Sequence, residues 1–100
     1  MNNAQLETLS RSALEIVTHD RNEQYGEPEN SFAVIAALWT GYLSAKWFKG
    51  NMGEIDAADV ARMMELMKMA RRMTAKVPKA DSYIDAIGYV LCEAKMAETE

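Results

Sequence analysis

Asp59-Val60-Ala61-Arg62-Met63-Met64-Glu65-Leu66-Met67-Lys68-Met69-Ala70-Arg71-Arg72 is the stretch that decides the fold class of this 100-residue chain. At about 100° per residue, Val60, Met63, Met64, Met67 and Ala70 fall on one helical stripe. Asp59 lies on the shoulder of that stripe and Arg71 near its middle. A charge directed into a core is costly unless it is paired or hydrogen-bonded. Two readings follow: Arg71 has a buried carboxylate partner, or it faces a cleft where a ligand supplies the negative charge.

Working outward, the same periodicity predicts three more helices, and no alternation long enough for a strand competes. The first spans roughly Ala4 to Thr18, with Leu6, Leu9, Ala13, Ile16 and Val17 on one face and Glu7, Arg11 and Glu15 on the other. His19 to Asn30 is polar, contains Gly26 and Pro28, and reads as a loop, with Asn30 or Ser31 capping the next helix. His19 itself reads as a helix-end or surface residue.

The second helix, about Ser31 to Trp47, is apolar nearly all round through Phe32, Val34, Ile35, Leu38, Trp39, Tyr42 and Leu43. Its uncharged run, Ser31 to Ala45, is about 15 residues, short of the roughly 18–20 that cross a bilayer. A helix of that kind must be surrounded. Three partner helices in so small a domain cover only part of it, so self-association through this helix is expected.

A turn at Gly50, Asn51 and Gly53 leads to Asp56, the expected N-cap of the third helix, about Ala57 to Ala75. Lys76-Val77-Pro78-Lys79 ends it, and Asp81 or Ser82 is expected to cap the fourth, with Asp85 three residues after Ser82 as an acidic capping-box variant. The expected architecture is all-α: one domain over residues 1–100, a compact bundle of four main helices that oligomerises through the second.

Composition removes several functional classes. A formal charge of −4 without a basic run argues against duplex DNA as a partner. A single cysteine, Cys92, excludes an intramolecular disulfide and fits a reducing compartment. The first residues, with Asn2, Asn3, Gln5 and Glu7, do not read as a signal peptide. A cytoplasmic protein is expected. Cys92 and His19 have no partners at the spacing of a nucleophilic site, and no glycine-rich phosphate loop occurs, so no catalytic residue is assigned.

The fourth helix has two faces. Tyr83, Ile84, Ile87, Val90, Leu91 and Ala94 read as the core side, while Asp81, Asp85, Gly88, Tyr89 and Cys92 share the other. Gly88 costs about 1 kcal/mol relative to alanine in a helix interior, which points to a close approach by a backbone, side chain or ligand. Asp81 and Asp85 stack one turn apart; they can serve the helix N-terminus, pair with Arg71, or share a divalent metal. Lys68, roughly 60° from Arg71, can reach the same anion, a point charge beside a planar fork. Glu65 and Lys68 also read as a three-apart surface pair, with Arg72 on the same polar side. The methionines between Met63 and Met73 read as core filler or an adaptable surface. In the loop, Arg21 and Tyr25 add a cation and a stacking ring to a segment that reads equally as a solvated connection.

Arg21-x-x-x-Tyr25-Gly26, Asn30-x-Phe32, Asp59-Val60, Lys68-x-x-Arg71 and Asp81-Ser82-x-x-Asp85-x-x-Gly88-Tyr89 together resemble a family of small uncharacterised tailed-phage proteins. That resemblance implies a viral or prophage origin, a bacterial host cytoplasm and an all-helical fold, without a known activity. The chain is more distantly similar to the all-α nucleoside triphosphate pyrophosphatases of MazG type, small magnesium-using helical oligomers. It departs from them in having no Glu-x-x-Glu on a helix; Asp59 and Glu65 are six apart, roughly 120° out of phase.

The expected function is binding of a small phosphorylated ligand, a nucleotide, in a cleft of the third and fourth helices and the Tyr25 loop. Lys68 and Arg71 hold phosphate in that reading, with Asp59, Asp81 or Asp85 orienting Arg71 or binding ribose, Tyr25 or Tyr89 stacking on a base, and Arg21 among the ligand-binding residues. In a phage such a protein could sequester a host nucleotide signal and blunt a defence pathway. The alternatives are a magnesium-dependent nucleotide pyrophosphatase with Asp59, Asp81 and Asp85 as metal ligands, and a non-catalytic interaction module whose Arg71–aspartate network fixes helix register.

Overall fold

A computed structural model of the chain describes residues 1–20, 28–50, 53–77 and 79–97. The described residues contain helices and no strand: α1 (Asn3–Glu15), a π-helical turn (Ile16–Asp20), α2 (Pro28–Phe48), α3 (Ala57–Thr74) and α4 (Ala80–Ala97). The all-α expectation holds. Reciprocal hydrogen bonds begin α1: the Asn2 side chain accepts from the Gln5 N–H and the Gln5 side chain from the Asn2 N–H, each at 2.8 Å.

Three boundaries differ from expectation. The regular part of α1 stops at Glu15, and Ile16 and Val17 lie in the π turn that follows. α2 starts at Pro28 instead of Ser31, so Asn30 and Ser31 sit within its first turn and do not cap it. Proline suits a first helical position, where its missing N–H has no intrahelical partner to lose. α4 starts at Ala80, which places Asp81 and Ser82 inside the helix; the Ser82 N–H donates to the Lys79 carbonyl at 3.1 Å. By contrast, Asp56 caps α3 as expected. Its side chain accepts from the Asp59 N–H, and the Asp59 side chain accepts from the Asp56 N–H, both at 2.8 Å.

α3 is the middle element, packed against α2 on one side and α4 on the other. Both neighbours run antiparallel to it. Trp39 and Tyr42 of α2 reach Met63 and Asp59 of α3, while Arg62, Lys68 and Arg72 of α3 reach Glu93, Asp85 and Ser82 of α4. α2 and α4 have no extensive contact with each other, and α1 has none with α2, α3 or α4. The packed helices therefore form one layer, and the buried apolar side chains among the described residues are Ala61, Ala70 and Ala86. The Cα radius of gyration is 16.8 Å, against about 13 Å for a compact domain of this length.

The consequence is clearest on α4. Tyr83, Ile84, Ile87, Val90 and Leu91, expected to be the core side, are exposed, whereas Ser82 and Ala86 are buried. The helix presents small and polar residues to α3 because alanine and serine allow close approach, with charged pairs flanking the seam. Gly88 is not explained by crowding: a Cβ there would meet nothing within 4 Å. Replacing Gly88 by alanine is expected to raise the unfolding free energy by about 0.5–1 kcal/mol in a urea titration. A loss of stability instead would mean that a body outside this chain packs on that position.

Candidate functional site

The end of the α2–α3 seam holds a cluster of charged side chains around one carboxylate. Asp59 is 1% exposed and is the largest fully buried side chain among the described residues. Its position follows from local sequence: as third residue of the α3 capping box it points back at the Asp56 N–H. The partners come from α2. Tyr42 Oη donates to Asp59 Oδ1 at 2.6 Å, and Lys46 Nζ donates to Asp59 Oδ2 in a short contact. Tyr42 and Lys46 are four apart and so share one face of α2. Lys46 also donates to the Glu54 carbonyl at 3.1 Å, tying the approach to α3 back onto α2.

Arg62, one turn along α3, extends the network. Its guanidinium donates to Tyr42 Oη at 3.0 Å and to Glu93 Oε2 at 3.0 Å, and comes within 3.9 Å of Asp59 Oδ1. One chain of polar contacts thus links α2, α3 and α4. Each charge is answered, as burial requires.

Protonation follows from those contacts. The hydrogen bonds from Lys46, then from Tyr42 and the Asp56 N–H, hold the Asp59 carboxyl well below the usual carboxylate range. Asp59 in turn pushes the Lys46 ammonium up. Burial raises the Tyr42 phenol, helped by Asp59 and opposed by Arg62. Tyr42 and Glu93 keep Arg62 charged.

The cluster is not packed shut. Tyr42, Lys46, Lys49, Gly53, Glu54, Asp56, Asp59 and Arg62 line a cleft of about 660 Å³, within the size range of small-molecule sites. Lys49 and Arg62 bring cationic groups to its walls, and Arg62 is about two-fifths exposed (43%). A second, apolar groove of about 450 Å³ lies farther along the α2–α3 seam, between Phe32, Ile35, Trp39, Met64, Met67 and Arg71.

The residues expected from the sequence are distributed over these features. Asp59 lies in the charged cluster. Arg71 lines the apolar groove facing α2, whereas Lys68 is buried on the other side of α3, its ammonium 2.9 Å from Asp85. The two cations therefore do not converge on one anion. Lys68 and Asp85 pair across the α3–α4 seam in place of the expected Glu65–Lys68 pair and of the Ser82–Asp85 capping box. Arg72 donates to the Ser82 carbonyl at 3.2 Å and stacks over the Tyr83 ring, 5.1 Å from its centroid. Asp81 is exposed in the first turn of α4, and Tyr89 is half-buried. Asp59, Asp81 and Asp85 are not gathered: among the described residues no three His, Cys, Asp or Glu side chains are placed to hold a metal ion. Arg21, Tyr25 and the rest of 21–27 lie outside the described residues.

Tyr42, Lys46, Lys49, Arg62 and Glu93 were not singled out from the sequence. One signal was available: Lys46 is the only charge between Ser31 and Phe48, and a lone charge on an apolar helix calls for a buried partner.

Comparison with known proteins agrees with the phage-type reading. Residues 8–97 match a domain of unknown function, DUF6378. The chain belongs to that family. It is also 35% identical over 92 residues to the Gene 55 protein of Mycobacterium phage D29, an alignment covering 92% of this chain and 55% of the relative. The chain thus spans about half the length of that curated relative. No solved structure matches it significantly. The phage-encoded relative supports the resemblance to uncharacterised phage proteins. No described helix is long and apolar enough to cross a membrane.

The charge cluster predicts a pH profile of stability. Asp59 has a lowered folded pKa, so unfolding releases a group that binds protons more readily, and stability rises with pH there. Its contribution is full above the ordinary carboxylate pKa of about 4 and is lost as pH falls through the lower folded value. Lys46 works in the opposite sense: its contribution holds below about pH 10.4 and is lost as pH rises through its raised folded pKa. In thermal melts from pH 7 to pH 2, Asp59→Asn is expected to start less stable than the parent and to lose less on acidification. Parallel curves for the two proteins would remove Asp59 as the titrating group.

Proposed function

We propose that this DUF6378 chain binds a small phosphorylated molecule, a nucleotide, in the charged cleft at the end of the α2–α3 seam. The observation that carries the reading is that a buried, ionised carboxylate and its cationic partners border an open cleft. Strongly perturbed groups in a cleft mark candidate sites more often than closed structural pairs do. Lys49 and the accessible part of Arg62 meet phosphate oxygens, Arg62 with a planar fork and Lys49 as a point charge. Asp59 acts through the others: by holding Lys46 and Tyr42 it sets where the cationic wall stands. The phosphate-binding role passes from Lys68 and Arg71 to these residues because Lys68 is engaged with Asp85 and Arg71 faces α2. In a phage, intact retention of a host signalling nucleotide would blunt the response it triggers. Self-association belongs to the same reading, since a single helical layer with an alanine core leaves too much apolar surface in water.

The test is to incubate the purified chain with linear and cyclic nucleotides and magnesium, filter away the protein, and chromatograph both the filtrate and the material released on denaturation. A nucleotide depleted from solution and recovered intact supports binding. Lys49→Glu, a change at an exposed position, is expected to weaken that retention at least tenfold, about 1.4 kcal/mol, without altering the thermal midpoint. Conversion to monophosphate and pyrophosphate would replace this reading with a MazG-type hydrolase. An unchanged panel would leave the network as a device that fixes the register of α2, α3 and α4.

A further inference from the structure

Two apolar helix faces of this chain are bare, and they match. On α4, Ile84, Ile87 and Leu91 are 62%, 61% and 65% exposed and follow one another at the three- and four-residue spacing of a packed ridge. On α1, Leu6 and Leu9 begin a ridge of the same spacing, and they too are exposed. α1 packs extensively on none of the other helices of its own chain.

The surface area says how much is left to cover. A folded monomer of 11.2 kDa exposes about 5,700 Å². This chain exposes 7374 Å², an excess of about 1,700 Å² over that scaling. Two copies that covered the excess would bury about 3,400 Å² in total, inside the 2,000–5,000 Å² range of obligate homodimers. A lone layer of helices is also half of an ordinary domain architecture, which stacks two layers around a core.

We propose that a second copy of the chain supplies the missing layer, with α1 of each copy lying on the Ile84–Ile87–Leu91 face of the other's α4. The contact is isologous and closes on itself, so it ends at a dimer and does not propagate into a fibre. It covers both bare faces at once, whereas pairing of α4 with α4 would leave α1 in water. The inference rests on the self-association proposed above and moves its surface away from α2, whose large exposed side chains, Phe32, Trp47 and Phe48, stand apart at its two ends, while the outward positions between them include Ala33, Ala36, Ala37, Thr40 and Gly41. Small residues of that kind add little apolar area.

Sedimentation equilibrium of the full chain at micromolar concentration tests it, with circular dichroism to confirm helix content. The parent is expected to be a dimer. Ile87→Glu and Leu9→Glu, both solvent-facing in the single chain, are each expected to keep their helix content and to raise the dimer Kd at least tenfold. Leu91→Glu serves in place of Ile87→Glu if that variant does not fold. A monomeric parent overturns self-association and this interface together. A dimer untouched by Ile87→Glu overturns this interface alone, and a dimer lost with Ile87→Glu but kept with Leu9→Glu overturns the exchange of α1.

Discussion

The bond set of Asp59 holds the α2–α3 end of the molecule in register, and the cleft depends on it. A carboxylate with essentially no exposure is tolerable only when both oxygens are satisfied. Here one oxygen takes the Tyr42 hydroxyl, while the other takes the Asp56 N–H and the Lys46 ammonium. Removing any of these leaves a buried group short of a partner, and that penalty exceeds the net gain of forming the contact. Because Tyr42 and Lys46 sit on α2 and Asp59 on α3, their bonds to the carboxylate also select one register of the two helices. Arg62 carries that selection across to Glu93 on α4.

A fold organised in this way has an unusual division of labour. Polar pairs determine which residues face each other, whereas the buried apolar side chains among the described residues are three alanines. Alanine allows the helix axes to approach closely but removes little surface from water, at about 25 cal/mol per Å². The larger apolar residues that would ordinarily drive folding, such as Ile84, Ile87 and Leu91, are on the outside. Register thus comes from polar pairs, while the large apolar side chains of α4 lie on the solvent side of the single chain. This accounts for a helical protein in which the largest fully buried side chain among the described residues is a carboxylate.

Legibility in the sequence follows the range of the interaction. α3 could be placed to within a residue and the start of α4 to within two or three, because periodicity and capping operate over three or four positions. Asp56 as a cap was readable for that reason, and Asp59 was marked by its place on the shoulder of an apolar stripe. The start of α2 at Pro28 was missed because a proline among polar residues reads equally as a loop and as a first helical turn. The inside of α4 was misassigned because hydrophobicity points to the face that seeks an apolar partner, and says nothing about whether that partner belongs to the same chain.

An all-α chain, the approximate places of its helices and the presence of charges that need company can be read from the residues alone. Those are consequences of backbone geometry and of solvation, both local. Which groups provide that company is settled by how the helices pack. Asp59 meets Lys46 thirteen residues away, Arg62 meets Glu93 thirty-one residues away, and Lys68 meets Asp85 and not Glu65. Such pairings depend on the rotation and register of one helix against another, which small residues at the α3–α4 seam and the donors of α2 set together. No periodicity within a single helix encodes that relation.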